Sequence, residues 1–294
     1  MSIKEQMQVQ LLQDRAAQAT YRRTLMKSMG HNAVGILANT KHGPMVVDAE
    51  DGVVGYLLLN NGSYGEEEYD RACKFVKGGN VLVVGANIGA HAVPLSRLCK
   101  ELYAVEANPN TFKHLVSNMR LNECRNMSAI HVAASDKEDK IKFLMNRENS
   151  GGSKRMPNNP KWEYIYDNPF EIEVQAMPMD QVIKERSFDY ILMDIEGSEY
   201  FALKGMQEIL KGTEAIAIEF YPFHIKDIAG VSISEFLSVV EPHFNWLFIP
   251  GDGLYDKINI VGKLTAMFDA GEIHEGIILM KNVPSFLKQD KSTT

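Results

Sequence analysis

The stretches 80–91, N-V-L-V-V-G-A-N-I-G-A-H, and 101–109, E-L-Y-A-V-E-A-N-P, decide how this chain folds. The valine-rich run 81–84 contains no polar residue and reads as a strand buried on both faces. It stops at Gly85-Ala86-Asn87-Ile88-Gly89, a turn whose glycines suit a backbone passing close to something. A helix follows, and a second apolar strand ends on Glu106. The pattern predicts a βαβ unit with a close-approach loop after its first strand and a carboxylate at the end of its second. Such a unit grips a nucleoside, the loop taking one end and the carboxylate accepting both ribose hydroxyls.

The loop chemistry bears on which nucleoside. Dinucleotide folds use G-x-G-x-x-G, where the second glycine lets the backbone touch a pyrophosphate. Here that position is Asn87, which would crowd a pyrophosphate but can hydrogen-bond a smaller group. The spacing to the acid does not discriminate, because both cofactor classes place it about twenty residues on. S-adenosylmethionine (AdoMet) offers an adenosine, a sulfonium and a zwitterionic tail, and a loop with fewer glycines suits it better than NAD. The competing reading of the loop is a tight turn with no ligand.

Four segments in order, V-V-G-A-N-I-G, V-E-A-N-P-N-T, A-A-S-D and M-D-I-E-G-S-E, resemble FkbM-type AdoMet-dependent methyltransferases. The resemblance covers roughly residues 64–281, and its most specific part is D-I-E-G-S-E. It implies an α/β, Rossmann-like methyltransferase fold: a seven-stranded, mostly parallel sheet with its last strand antiparallel and helices on both faces. It also implies AdoMet bound by Gly85, Ala86, Asn87, Gly89, Glu106, Ala107 and Asp194. Ala133 and Asp136 of A-A-S-D would border the adenine, Asp136 competing with a plain turn-capping role. The family usually has an aspartate two residues before the first loop glycine, where this chain has Val83. That contact to the methionine amine is lost or supplied from elsewhere, with Glu66, Glu67 and Glu68 as candidates.

Composition narrows the class. At 294 residues the chain suffices for one large domain plus an appendage, and 45% hydrophobic with 23% charged residues are ordinary globular values. A net charge of −7 lacks the basic footprint that nucleic acid requires. Cys73, Cys99 and Cys124 are few and widely spaced, which argues against a disulfide frame or a zinc site. The charged first thirty residues and the lack of a long apolar run predict neither a signal peptide nor a membrane span. The expectation is a soluble cytoplasmic protein.

Residues 1–64 read as an N-terminal helix, 1–29, and a small β-hairpin cap running through 33–59, with K-H-G-P and D-A-E-D-G as turns. An apolar stripe including Leu11 and Leu12 predicts packing of that helix on the core or on a second subunit. The methyltransferase domain is placed at 65–284 and a polar tail at 285–294. Within the domain, strands are expected at 127–134, 141–145, 172–177, 188–194, 215–220, 246–249 and 277–281. Helices are expected at 66–76 and from Pro109 to about 122.

Asp194 follows an apolar strand, at the sheet edge where open α/β folds bind ligands. It reads either as a helix cap or as the group facing the transferred methyl and the acceptor. Glu196 turns toward the same cleft. Methyl transfer to an alcohol needs alignment and a proton acceptor within about 3 Å. Asp194 and Glu196 are the first choices for that base, with His224 and His91 behind them. Glu219 is placed to orient a base or bind substrate, and Glu199 to open a helix. Two clustered carboxylates make a metal-assisted variant conceivable, but no histidine–cysteine ligand set supports it, and no metal is expected. The insertion 146–170 carries Trp162, Tyr164, Tyr166 and Phe170 beside Lys154, Arg155 and Lys161. It reads equally as a lid for a sugar or aglycone and as packing on the sheet. The resulting expectation is an O-methyltransferase acting on a hydroxyl of a small molecule or saccharide. Its rivals are a nicotinamide oxidoreductase and a non-catalytic nucleoside-binding module.

Overall fold

Residues 20–30 and 32–288 are described by the computed structural model of the chain. The strands begin with β1 (Ile36–Thr40), β2 (Gly43–Val47), β3 (Asn80–Val84), β4 (Glu101–Glu106), β5 (Met127–His131), β6 (Ala133–Ala134) and β7 (Asp139–Met145). They continue as β8 (Lys154–Arg155), β9 (Phe170–Met177), β10 (Phe188–Met193), β11 (Thr213–Phe220), β12 (Trp246–Ile249), β13 (Gly253–Asp256) and β14 (His274–Met280). The main sheet has the order β13-β12-β14-β11-β10-β3-β4-β5. From β5 to β11 neighbouring strands are parallel, and β14 lies antiparallel between β11 and β12.

Seven of these strands meet the expectation, the last in sequence being the antiparallel one. The eighth, β13, corrects the count. It is a four-residue edge strand hairpinned on β12 and too short to declare itself by pattern.

Burial on both faces explains the unbroken apolar runs. In β3, Leu82 and Val84 enter one core while Val81 and Val83 enter the other. In β10, Ile191 and Met193 alternate in the same way with Tyr190 and Leu192. The helices at Glu66–Phe75 and Pro109–Leu121 cover one face, through residues such as Phe75 and Leu115. Those at Glu199–Lys204, Ile233–Ser238 and Lys257–Ala270 cover the other, through Leu203, Phe236 and Leu264.

A second sheet, β6-β9-β7-β8, stands beside the first. It corrects the reading of 127–134 as one strand. β4 ends at Glu106, opposite His131, so residues beyond His131 lose their partner in the main sheet. Ala133 and Ala134 then pair with β9.

The cap also departs from expectation. β1 and β2 form the expected hairpin, but Val54–Asn61 is a helix rather than a β run. Val54 and Leu58, four apart, share its buried face, and Gly62 closes it with φ +69°. Residues 20–29 are helical, and Arg22 Nε donates to the Ala49 carbonyl at 2.9 Å. Leu11, Leu12 and the tail from Gln289 lie outside the described residues.

Asn118 ties the cap to the core. Its Oδ1 accepts from the Val46 N–H at 2.6 Å, and its Nδ2 donates to the carbonyls of Val46 (3.0 Å) and Ile88 (2.8 Å). The side chain is fully buried, so truncation strands several backbone groups. Asn118→Ala is expected to lower unfolding free energy by about 2–3 kcal/mol, read from urea denaturation against the parent protein.

Candidate active site

β3 and β10 end side by side, and their last residues build the floor of a cleft. The Asp194 N–H donates to the Val84 carbonyl at 3.0 Å. Gly85 has φ +89°, and a Cβ there would stand 1.8 Å from the Asp194 carbonyl oxygen. Its lack of a side chain therefore serves strand-to-strand contact, where the sequence suggested contact with ligand. Gly89 is likewise a packing position: a Cβ would meet Leu115 Cδ1 at 3.0 Å, and the residue lies outside the cleft lining.

Glu106 is set by the loop above it. The Asn87 N–H donates to its Oε2 and the Asn108 N–H to its Oε1, both at 2.7 Å. Burial pushes this carboxyl up, and the backbone donors pull it back toward the ionised form. The Thr111 hydroxyl and the Ala107 N–H also act on it, and the carboxylate lines the cleft, where it can accept from a ligand hydroxyl. Asn87 itself takes φ +49°, which asparagine tolerates, and its Nδ2 donates to Ser150 Oγ at 3.2 Å.

The cleft encloses about 940 Å³ of space, open solvent at its mouth included. Gly85, Ala86, Asn87, Glu106, Ala107, Ala133 and Asp194 all line it, as expected from the sequence. Asp136 does not. It pairs with Lys204 at 3.3 Å, turned away from the place where an adenine would lie. Ile141 and Phe143 of β7 form that wall instead, with Arg155, whose Nη2 donates to Ser135 Oγ at 2.7 Å. No pattern in the sequence marked β7 as part of the site, because it belongs to the second sheet.

Of the three upstream glutamates, Glu68 reaches the cleft. Its Oε2 lies 3.0 Å from His91 Nε2, and both residues line the cleft beside Tyr64 and Val83. Glu66 is taken by Lys41 and His42, and Glu67 is exposed next to Arg71.

A second group of polar side chains lies past Asp194. Glu196 has φ +53°, a costly conformation outside glycine. Its Oε2 sits 3.4 Å from Lys154 Nζ and 3.5 Å from His224 Nε2. His224 Nδ1 lies 3.1 Å from Glu219 Oε2. Lys154 belongs to the insertion that reads equally as a lid or as packing on the sheet, and its side chain is 7% exposed. Its neighbour Arg155 faces the cofactor cleft, so β8 serves both groups by strand alternation.

Desolvation, then Glu196, Glu68 and Glu199, push the Asp194 carboxyl well above its usual range, against Lys154. Its side chain opens to solvent through the cleft, with protein on its other sides. Burial and the same neighbours raise Glu219 to about 11. His224 falls to about 3 through burial and Lys154, so it stays neutral and resists taking a proton. That corrects its ranking as a proton acceptor.

The insertion divides between the two readings offered for it. Tyr164 is buried and its hydroxyl donates to Asp227 Oδ2 at 3.1 Å, while Trp162, Tyr166 and Phe170 are exposed.

A twisted sheet with parallel centre, a glycine loop after its first core strand and an acid ending the next define a nucleoside-binding α/β enzyme domain. The family model "Methyltransferase FkbM domain" matches residues 84–248, more than half of the chain. The chain belongs to the FkbM methyltransferases, a class that works with AdoMet. No curated protein matches the sequence.

Solved structures offer distant likenesses. TYW2 of M. jannaschii in complex with AdoMet shares 13% identity, covers 85% of this chain and 87% of its own, and has a TM-score of 0.40. The putative transferase PH0793 of Pyrococcus horikoshii shares 14%, with 85% and 73% covered and a TM-score of 0.40. Trm5b of Pyrococcus abyssi shares 14% with a TM-score of 0.38. That match covers 72% of this chain, which spans about half, 48%, of the other's length. Among the described residues no helix is long and apolar enough to cross a membrane.

Two outcomes follow from this geometry. Glu106→Ala removes charge-assisted acceptors and should weaken AdoMet binding by roughly 1.5–3 kcal/mol, measured calorimetrically. Glu199, whose Oε1 accepts from the Ile195 N–H at 3.0 Å, is raised by burial from 4.5 to about 7. The folded protein thus holds a proton that the unfolded chain releases between those values, and stability falls as pH rises through that window. Glu199→Gln should remove its share of that fall, worth about 3 kcal/mol at most, in urea melts between pH 4.5 and 8, leaving the shares of Asp194 and Glu219.

Proposed function

We propose that the protein transfers the methyl group of AdoMet to a hydroxyl of a small-molecule or saccharide acceptor. The observation that carries the reading is the position of Asp194. It lines the cofactor cleft and interacts electrostatically with Glu196, Glu219 and Lys154 of the adjoining polar group. One carboxylate thus faces both the methyl donor and the space for an acceptor.

In this reading Glu106 holds the ribose, and Ala107, Ala133, Ile141 and Phe143 enclose the adenine. Glu68 receives the methionine ammonium that the usual aspartate, here Val83, would take. Val83 and Glu68 line the same cleft, which supports that exchange of roles. The sulfonium then lies against Asp194.

The reaction is a direct displacement: the acceptor oxygen bonds the methyl carbon as the carbon–sulfur pair returns to sulfur. Holding the three atoms in line can remove roughly 7–11 kcal/mol of barrier. The hydroxyl proton passes to the Asp194 carboxylate in its ionised form. Glu196, fixed by Lys154, orients the acceptor. Exposed Phe223, whose ring lies 4.6 Å from that of His224, suits stacking on a sugar face or an aromatic aglycone.

Asp194→Asn keeps the shape and loses the charge. AdoMet affinity should change little, while turnover with a competent acceptor should fall about a hundredfold or more. Loss of affinity in step with turnover would reassign Asp194 to holding the cofactor. Slow loss of the methyl group to water gives a readout before an acceptor is in hand.

A further inference from the structure

Glu196, Glu219 and His224 come from three separate segments: the turn after β10, the end of β11 and the π-helical turn at His224–Ala229. One ligating atom from each falls within 4.8 Å of the other two. Two oxygens and a nitrogen bonded to one ion at about 2.0–2.2 Å stand about 3–4 Å apart, so small rotations would close them on a single ion.

Two further observations point to a ligand there. Glu219 Oε2 is sealed from solvent and takes part in no hydrogen bond, although His224 Nδ1 lies 3.1 Å away. The two atoms are close without addressing each other, as groups facing a common third atom would be. The imidazole is also deeply buried, its side chain 5% exposed, which rules out a role as a solvated surface group. Asp194, Glu68 and Glu199 surround the cluster, and the Lys154 ammonium lies beside Glu196.

We propose that Glu196, Glu219 and His224 bind one divalent cation beside the cofactor cleft. Two carboxylates with an imidazole suit Mn²⁺ or Zn²⁺ better than Mg²⁺ or Ca²⁺, which prefer all-oxygen sites. Three protein ligands leave coordination positions open, and resting on the methyl-transfer reading above, the acceptor's hydroxyl oxygen takes one of them. A cation-bound hydroxyl gives up its proton more readily, here to Asp194. Methyl transfer then proceeds as already described, the cation changing neither oxidation state nor the atom balance.

Lys154 provides an internal control. Its Nζ lies 3.4 Å from the Glu196 oxygen that also faces His224, so ammonium and cation compete for that oxygen. A neutral side chain of similar length at this position should strengthen cation binding, the opposite of what removing a ligand does.

The test titrates the full chain, without cofactor or acceptor, with MnCl₂ and separately with ZnCl₂. Binding is followed by calorimetry and, for Mn²⁺, by loss of the free-ion spin-resonance signal. One site per chain is expected. Glu219→Gln and His224→Ala should each weaken it at least about tenfold, and Lys154→Met should strengthen it severalfold. Glu219→Gln is isosteric and keeps the result readable if His224→Ala fails to fold. Absence of binding at millimolar ion would overturn the proposal, as would binding that survives Glu219→Gln. Unchanged affinity in Lys154→Met would remove the ion from Glu196. AdoMet affinity is measured on the same samples, so a protein that binds the ion but no AdoMet separates failure of the methyltransferase reading from failure of the cation site.

Discussion

Where β3 and β10 end, the space between Gly85 and the Asp194 carbonyl admits a hydrogen atom and nothing larger. The arrangement of the rest of the site follows from that contact. It lets the loop leave β3 at a sharp angle, so that the Asn87 N–H meets Glu106 at the end of the neighbouring strand β4. It also keeps the backbone of Asp194 bonded to Val84 while its side chain projects into the cleft. A methyl group at position 85 would push the two strand ends apart, and with them the cofactor seat and the carboxylate that faces the methyl.

The accumulation of acids at this edge has a physical cost. Besides burial, Glu196, Glu68 and Glu199 raise the proton affinity of Asp194, and Asp194, Glu196 and Glu199 raise that of Glu219, while Lys154 relieves part of the load. AdoMet brings two positive groups, the sulfonium and the ammonium, into the same region. An oppositely charged pair in a site that excludes water is worth far more than the same pair in solution. Under the proposed seating, ionised acids at this edge would favour the charged cofactor over its demethylated product, which has lost the sulfonium charge.

Much of this was legible from residues alone because the signals were local. Valine runs bounded by glycines located β3, and an acid at the end of an apolar strand located Glu106 and Asp194. Strand identity depends on pairing, however, and pairing is not local. Residues 127–134 look continuous, yet β4 ends opposite His131 and the chain changes sheets. Asp136 sits in a recognisable motif, yet Lys204, far along the chain, turns it away. The Glu196–Glu219–His224 cluster escaped notice for a similar reason. Its members come from different turns, and no spacing rule links residues that only the sheet brings together.

β8 is two residues long, and its two side chains point opposite ways: Arg155 to the nucleoside cleft, Lys154 to the polar group around Glu196. Any displacement of that short strand moves both at once. A ligand in one chamber that shifted the strand would thereby be felt in the other, with no domain motion required. Because such coupling is reciprocal in free energy, whatever advantage a seated nucleoside gives to the second ligand, the second ligand returns in equal measure.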